Sequence, residues 1–202
     1  PEMCPGTPRV IGAVLVEAGV PAGVINVITH DGKDAPEVVE ALIGHPAVRR
    51  VNFTGSTRVG RIIGETAGRH LKPVLLELGG KAPLIVLDDA DVDNAVRAAA
   101  FGSFMHSGQI CMSTERIVVA PGIADAFASK LAEKAKSLTA GNPRTSNAAL
   151  GSLVDRAPAV RVEGLVKDAV DKGARLLAGG SVDGTVMNAT VLDRVTPEMS
   201  IY

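Results

Sequence analysis

Aromatic side chains are scarce in this chain: there is no tryptophan, one tyrosine and four phenylalanines among 202 residues. That leaves no row of rings on which nucleobases could stack. Neither sign of charge dominates, because 21 Lys and Arg face 22 Asp and Glu for a formal net charge of −1. The broad electrostatic pull toward nucleic acid or anionic lipid is therefore missing. No run of about 18 apolar residues occurs to span a bilayer. Pro1-Glu2-Met3-Cys4 offers neither the basic region nor the apolar stretch of a secretory signal, so a cytoplasmic location is expected.

Cysteine is also sparse. Cys4 and Cys111 stand far apart and supply neither a disulfide framework nor a metal knuckle, so each is expected to be a free thiol. The four histidines, His30, His45, His70 and His106, show no i, i+4 pairing and no cysteine neighbours, and no metal site is expected.

What the chain does have is an apolar fraction of 46% with 21% charged residues, the balance of a soluble globular fold. Its patterning alternates. Thr7 followed by Pro8 reads as a helix cap, with Val10, Ile11, Val14 and Leu15 on one face and an end near Gly19. A buried strand is predicted over 24–28, a helix over 35–43, a strand over 48–53 and a helix over 58–70. Strands over 73–78 and 83–87 meet at Gly79-Gly80, and Asp88, Asp89 and Asp91 cap a helix over 92–104. A loop or broken helix over 105–114 leads to a strand at 117–120 and helices over 123–138 and 157–172. Further strands are expected at 175–178 and 186–192. Helices alternating with short buried strands indicate an α/β fold with largely parallel pairing.

Three positions in this frame carry chemistry. Gly55-Ser56-Thr57-Arg58-Val59-Gly60 follows a strand and opens a helix, where free backbone N–H groups and the helix dipole favour an anion. It is neither GxGxxG nor a P-loop, so a plain strand-to-helix turn is the leading reading of the loop alone. Glu77 ends an apolar strand beside two glycines. It reads either as a half-buried or cleft-facing general base, or as a strand-end carboxylate in water or paired with Lys72 or Lys81. Cys111 lies in the small, polar stretch Ser107-Gly108-Gln109-Ile110, and reads either as an accessible nucleophile or as an ordinary thiol. His106, five residues earlier, carries little weight as the base of a cysteine hydrolase dyad, because such partners come from distant parts of a chain. Lys81, Glu115 and Arg116 read as surface or salt-bridging residues.

Taken together, Phe53-Thr54-Gly55-Ser56, Leu76-Glu77-Leu78-Gly79-Gly80-Lys81 and Gly108-Gln109-Ile110-Cys111, in this order, resemble the aldehyde dehydrogenase superfamily. The similarity runs through essentially the whole chain, including Gly141-Asn142-Pro143. Around 83–91 and 111–119 it is nearest to the salicylaldehyde, benzaldehyde and vanillin enzymes. The resemblance implies an α/β fold with part of a Rossmann-type NAD-binding domain over 1–80 and part of a catalytic domain over 81–202. It implies that Cys111 attacks the aldehyde and that Glu77 activates the water that hydrolyses the thioester. It places Glu2, Phe53, Thr54, Gly55, Ser56, Gly60, Leu78 and Gly79 against the cofactor. Glu2 would accept hydrogen bonds from the adenosine ribose and repel a 2′-phosphate, favouring NAD over NADP. The partners implied are a small aldehyde and further copies of the chain, with no nucleic acid and no membrane. The resemblance further implies the central portion of a longer subunit, whose oxyanion-hole asparagine lies upstream. Two other readings follow from the same residues: a cysteine-dependent esterase that needs no cofactor, and a folded fragment without catalysis.

Overall fold

Residues 3–202 are described by a computed structural model. The chain folds as two units, Pro1–Leu78 and Gly79–Tyr202, each with an apolar core of its own.

In the first unit the order is α1 (Gly6–Glu17), α2 (Ala35–Gly44), β1 (Val51–Gly55), α3 (Thr57–Arg69) and β2 (Val74–Leu78). β1 and β2 pair in parallel, with Thr54 opposite Glu77 and Gly55 opposite Leu78. Parallel neighbours need a crossover, and α3 supplies it. Its buried Ile63 and Ala67 join Ile43 of α2 to form the core, against which Phe53 and Leu76 pack. Two expectations change here. α1 begins one residue before Thr7 and has no side-chain cap, Pro8 falling inside its first turn, where a missing N–H is tolerated. The predicted strand over 24–28 does not form: the Val24 N–H closes a turn on the Pro21 carbonyl at 3.2 Å, and 25–28 join no ladder among the described residues. The apolar face of α1, Val10, Ile11 and Val14, stays exposed.

In the second unit β3 (Ala82–Val86) and β4 (Thr114–Val119) form a parallel pair bridged by α4 (Val92–Phe104). The ladder register shifts between Ala82 and Pro83, at the residue that lacks a backbone donor. Asp91 caps α4 as its sequence predicts, its carboxylate accepting from the Asn94 N–H at 3.0 Å. α5 (Ala124–Lys136) packs on α4, and the small side chains of Ala99, Ala100, Ala132 and Ala135 permit the approach that Phe127 and Leu131 fill. α6 (Arg156–Asp171) then leads to β5 (Arg175–Ala178), β6 (Val182–Asp183), β7 (Val186–Met187) and β8 (Val191–Asp193). Near its end, the Asp168 carboxyl is held below its ordinary range by the Lys172 ammonium and by the Ser200 amide.

The expected strand over 186–192 divides into β7 and β8, and their pairings, β6 with β7 and β5 with β8, are antiparallel. The expectation of largely parallel pairing therefore holds for the two helix-bridged pairs alone. The two-residue connection between β6 and β7 makes them antiparallel neighbours, and Gly184 forms that tight turn at φ +61°.

Gly179 closes β5 at φ +69°, and a Cβ there would lie 2.3 Å from the Ala189 carbonyl oxygen and 2.6 Å from Thr190 Oγ1. Backbone cannot move aside as a side-chain tip does. Gly179→Ala is expected to destabilise by about 3 kcal/mol or more, combining left-handed strain with overpacking. Thermal unfolding followed by circular dichroism should show a midpoint about 6–12 °C lower. Gly164→Ala, in α6 with open space around its Cβ, should leave the midpoint unchanged or raise it. Equal midpoints for the two variants would refute the argument.

Candidate active site

The first unit gathers most of the residues singled out in the sequence onto the edge where β1 and β2 end together. Thr54, Gly55 and Ser56 are exposed at the end of β1 and the opening of α3. Ser56 takes extended geometry as N-cap, and its hydroxyl oxygen accepts from the Val59 N–H at 3.3 Å. The Gly60 N–H donates to the Ser56 carbonyl at 2.8 Å, which leaves the amides of Thr57 and Arg58 as the helix donors without an intrahelical acceptor.

Gly60 is buried, and a Cβ there would stand 2.6 Å from Leu78 Cδ2. Its missing side chain is what lets the first turn of α3 lie against the end of β2. Gly55 makes the corresponding approach to the Phe53 ring, at 2.5 Å from Cζ to a built Cβ. An exposed turn with two free amides, a helix dipole behind them and Arg58 alongside fits the pyrophosphate of a dinucleotide. Leu78 reaches this cradle as a packing residue. Glu2 lies outside the described residues.

Glu77 points the same way along β2 as its exposed neighbour in the alternation, Leu75, whereas Leu76 and Leu78 are half-buried. The carboxylate is exposed and has no ion-pair partner among the described residues. The half-buried reading is thus replaced by an open one. Both lysines once set against it are engaged elsewhere. Lys81 binds Glu115 at 2.6 Å, and the Lys72 ammonium donates to the backbone carbonyl of His45 at 2.6 Å and to that of Ile43. The salt-bridging reading of Lys81 and Glu115 is therefore observed directly, while Arg116 instead lies 4.0 Å over the ring of Tyr202.

The second unit carries Gly79, exposed with open space around it, and Cys111. α4 ends at Phe104, after which His106, Ser107 and Gly108 run through left-handed backbone at φ +53°, +56° and +72°. Left-handed geometry costs a non-glycine residue about 1–2 kcal/mol, so the two residues before Gly108 are held there by their surroundings. A turn then follows, closed by the Ser113 N–H on the Ile110 carbonyl at 3.0 Å, and Cys111 sits exposed inside it. The Cys111 N–H makes no hydrogen bond among the described residues. A thiol and a free amide thus come from one residue, which is what a nucleophile that also stabilises the resulting oxyanion requires.

No local pattern marked Ser113, which is 4% exposed with a hydroxyl that meets no partner among the described residues. Nor did any assign a role to Gln109, whose amide joins the Cys111 loop to residues 152 and 154. Cys4 is exposed near α1 with no comparable surroundings. No group of His, Cys, Asp and Glu able to hold a metal ion occurs among the described residues.

Comparison with known proteins gives the chain's relatives. Residues 1–202 match the model of the "Aldehyde dehydrogenase family". Vanillin dehydrogenase of Pseudomonas sp. strain HR199 is 58% identical over 201 residues, covering 100% of this chain and 42% of that protein. The crystal structure of a salicylaldehyde dehydrogenase from Pseudomonas putida G7, complexed with salicylaldehyde, superposes with a TM-score of 0.91. It is 52% identical and covers 96% of this chain and 40% of that one. An NADP-dependent glyceraldehyde-3-phosphate dehydrogenase from Bacillus halodurans is more distant, at 38% identity and a TM-score of 0.84, covering 94% of this chain and 38% of that one. The chain spans about two fifths of the length of the relatives it matches.

Proposed function

The chain belongs to the aldehyde dehydrogenase family, and from that premise we propose that it serves the oxidation of an aromatic aldehyde to its carboxylic acid with NAD+. The observation that carries the reading is Cys111, an exposed thiol in a turn whose own N–H is free. The names of the relatives support an aromatic substrate.

The Cys111 thiolate adds to the carbonyl carbon, forming the C–S bond while the π pair moves to oxygen. The Cys111 N–H donates to that oxyanion as it develops. NAD+, when bound, supplies the acceptor for the hydride that then leaves carbon. The oxyanion pair re-forms the carbonyl as a thioester on Cys111. Glu77 takes a proton from water, the hydroxyl adds to the thioester carbon, and the C–S pair returns to sulfur as the acid departs. Ser56, Gly55 and Gly60 would hold the cofactor's phosphates at the opening of α3, with Phe53, Thr54, Leu78 and Gly79 alongside. Glu2 would hold the adenosine ribose, which selects NAD over NADP by repelling a 2′-phosphate. In this reading residues 1–80 serve cofactor binding and 81–202 carry the nucleophile.

The same reading makes the chain a homo-oligomer, and the exposed Val10, Ile11 and Val14 on α1 support association. It places the chain in the cytoplasm. No helix among the described residues is long and apolar enough to cross a membrane.

The test is aldehyde-dependent reduction of NAD+ by the purified chain, followed by NADH absorbance, with salicylaldehyde and benzaldehyde beside acetaldehyde. The expected result is NADH formation that prefers the aromatic aldehydes and prefers NAD+ to NADP+. A chain that is folded by circular dichroism and forms no NADH with any of them would overturn the proposal.

A further inference from the structure

We propose that Gln109 is a positioning residue for Cys111, a role that rests on the reading of Cys111 as the nucleophile. Its side chain clamps the turn that carries the thiol onto residues 151–154. The carboxamide oxygen accepts from the Val154 N–H at 2.8 Å, and the nitrogen donates to the carbonyls of Ser152 and His106, both at 3.3 Å. These partners leave one orientation of the amide, because the oxygen must meet the N–H and the NH2 the two carbonyls. Ser107 adds a parallel tie, its hydroxyl donating to the Gly151 carbonyl at 3.2 Å.

The far side of the clamp is itself anchored. Ser152 forms an antiparallel bridge with Val186, and the Leu153 N–H donates to the Thr185 carbonyl at 2.8 Å. Leu150 is buried, donates to the Thr139 carbonyl and accepts from the Gly141 N–H, each at 3.0 Å. The near side needs an external hold: His106 and Ser107 stand left-handed, a geometry their side chains disfavour, and the one hydrogen bond that closes the Cys111 turn is local. Gln109 is exposed, so nothing in its burial requires a glutamine. What its three hydrogen bonds accomplish is to fix a loop two residues before an exposed thiol whose own amide must face the oxyanion that the thiol's addition to a carbonyl creates. A displacement of about 1 Å at such a group lowers rates by about a hundredfold.

The experiment compares the wild-type chain with Gln109→Ala, Gln109→Glu and Cys111→Ala, using p-nitrophenyl acetate for acylation and iodoacetamide for simple alkylation. Acylation needs the thiol and the oxyanion donor in register, whereas alkylation needs an exposed thiol alone. Gln109→Ala is expected to lower the Cys111-dependent acylation rate by about 30- to 100-fold while changing the alkylation rate by less than about threefold. Gln109→Glu keeps the acceptor for Val154 but faces two carbonyls with a carboxylate, and should fall between wild type and Gln109→Ala. Hydrogen exchange should rise in Gln109→Ala at 106–113 and at Val154, and remain unchanged in α5.

Equal losses of acylation and alkylation would mean a structural role and overturn the proposal, as would acylation at the wild-type rate. Should wild type and Cys111→Ala acylate alike, the nucleophile reading fails; unchanged exchange at 106–113 in Gln109→Ala would then overturn the clamp as well, and increased exchange would uphold it.

Discussion

Cys111→Ala is expected to reduce NADH formation from aromatic aldehydes by at least about 10⁴-fold, since removing the nucleophile of a covalent mechanism removes the step on which every later one depends. The structure sharpens this expectation. The Cys111 side chain is exposed, so shortening it leaves no buried cavity and the fold should survive with its unfolding midpoint unchanged. The loss is therefore attributable to chemistry. Cys111→Ser provides the second reading, because it keeps the turn and the free N–H but offers a hydroxyl with no activated pair. It should fall nearly as far. Cys4 is the internal control: it is also an exposed thiol, and Cys4→Ala should retain full activity. Activity that survived Cys111→Ala would remove the thiol from the mechanism, and loss on Cys4→Ala would move it.

Glu77→Gln should separate the two halves of the reaction. Gln fills the same volume and keeps an acceptor oxygen, but it cannot take a proton from water at neutral pH, and general-base assistance contributes about 10²–10⁴-fold. Acylation of Cys111 does not use Glu77, so one equivalent of NADH per chain should form rapidly and steady turnover should then fall by that factor. The thioester should accumulate and be visible as an added acyl mass in the intact protein. Stability should not suffer, because the Glu77 carboxylate is exposed and unpaired among the described residues, while β2 is held by its ladder to β1 and by Leu76 in the core. Equal loss of the first and later turnovers would give Glu77 a role before acylation instead. A wild-type steady rate would exclude it as the base.

The two variants also bear on the other readings of the residues. A cysteine-dependent esterase without cofactor would lose ester hydrolysis in Cys111→Ala yet never form NADH. A chain without catalysis would show ordinary alkylation of both Cys4 and Cys111 and no acyl-enzyme at either.

The predicted helices over 35–43, 92–104, 123–138 and 157–172 correspond to α2, α4, α5 and α6 within a residue or two at most boundaries. These were legible because helix hydrogen bonds close within four residues and caps such as Asp91 act on the next turn. Strands next to a crossover helix were legible for a related reason, as short runs near glycine, proline or aspartate, although β1 runs to Gly55, two residues past its predicted end, and β4 begins at Thr114, three residues before its predicted start. The segment at 24–28 has the same composition and forms no strand among the described residues, because a ladder needs a partner that local sequence does not name. The same limitation hid the antiparallel pairing of β5 with β8, and the division of 186–192.

The site divides along the same line. By itself the sequence determined the family, and it singled out Gly55, Glu77 and Cys111 as the residues proposed to carry chemistry, because identity and spacing are properties of the chain. Only the tertiary structure decided that Glu77 stands open, that Lys81 is bound to Glu115, that Ser113 is buried and that Gln109 ties the thiol's turn to residues 152 and 154. Exposure, pairing and clamping are relations between residues distant along the chain, and the packing that brings them together is not written in any local run of side chains.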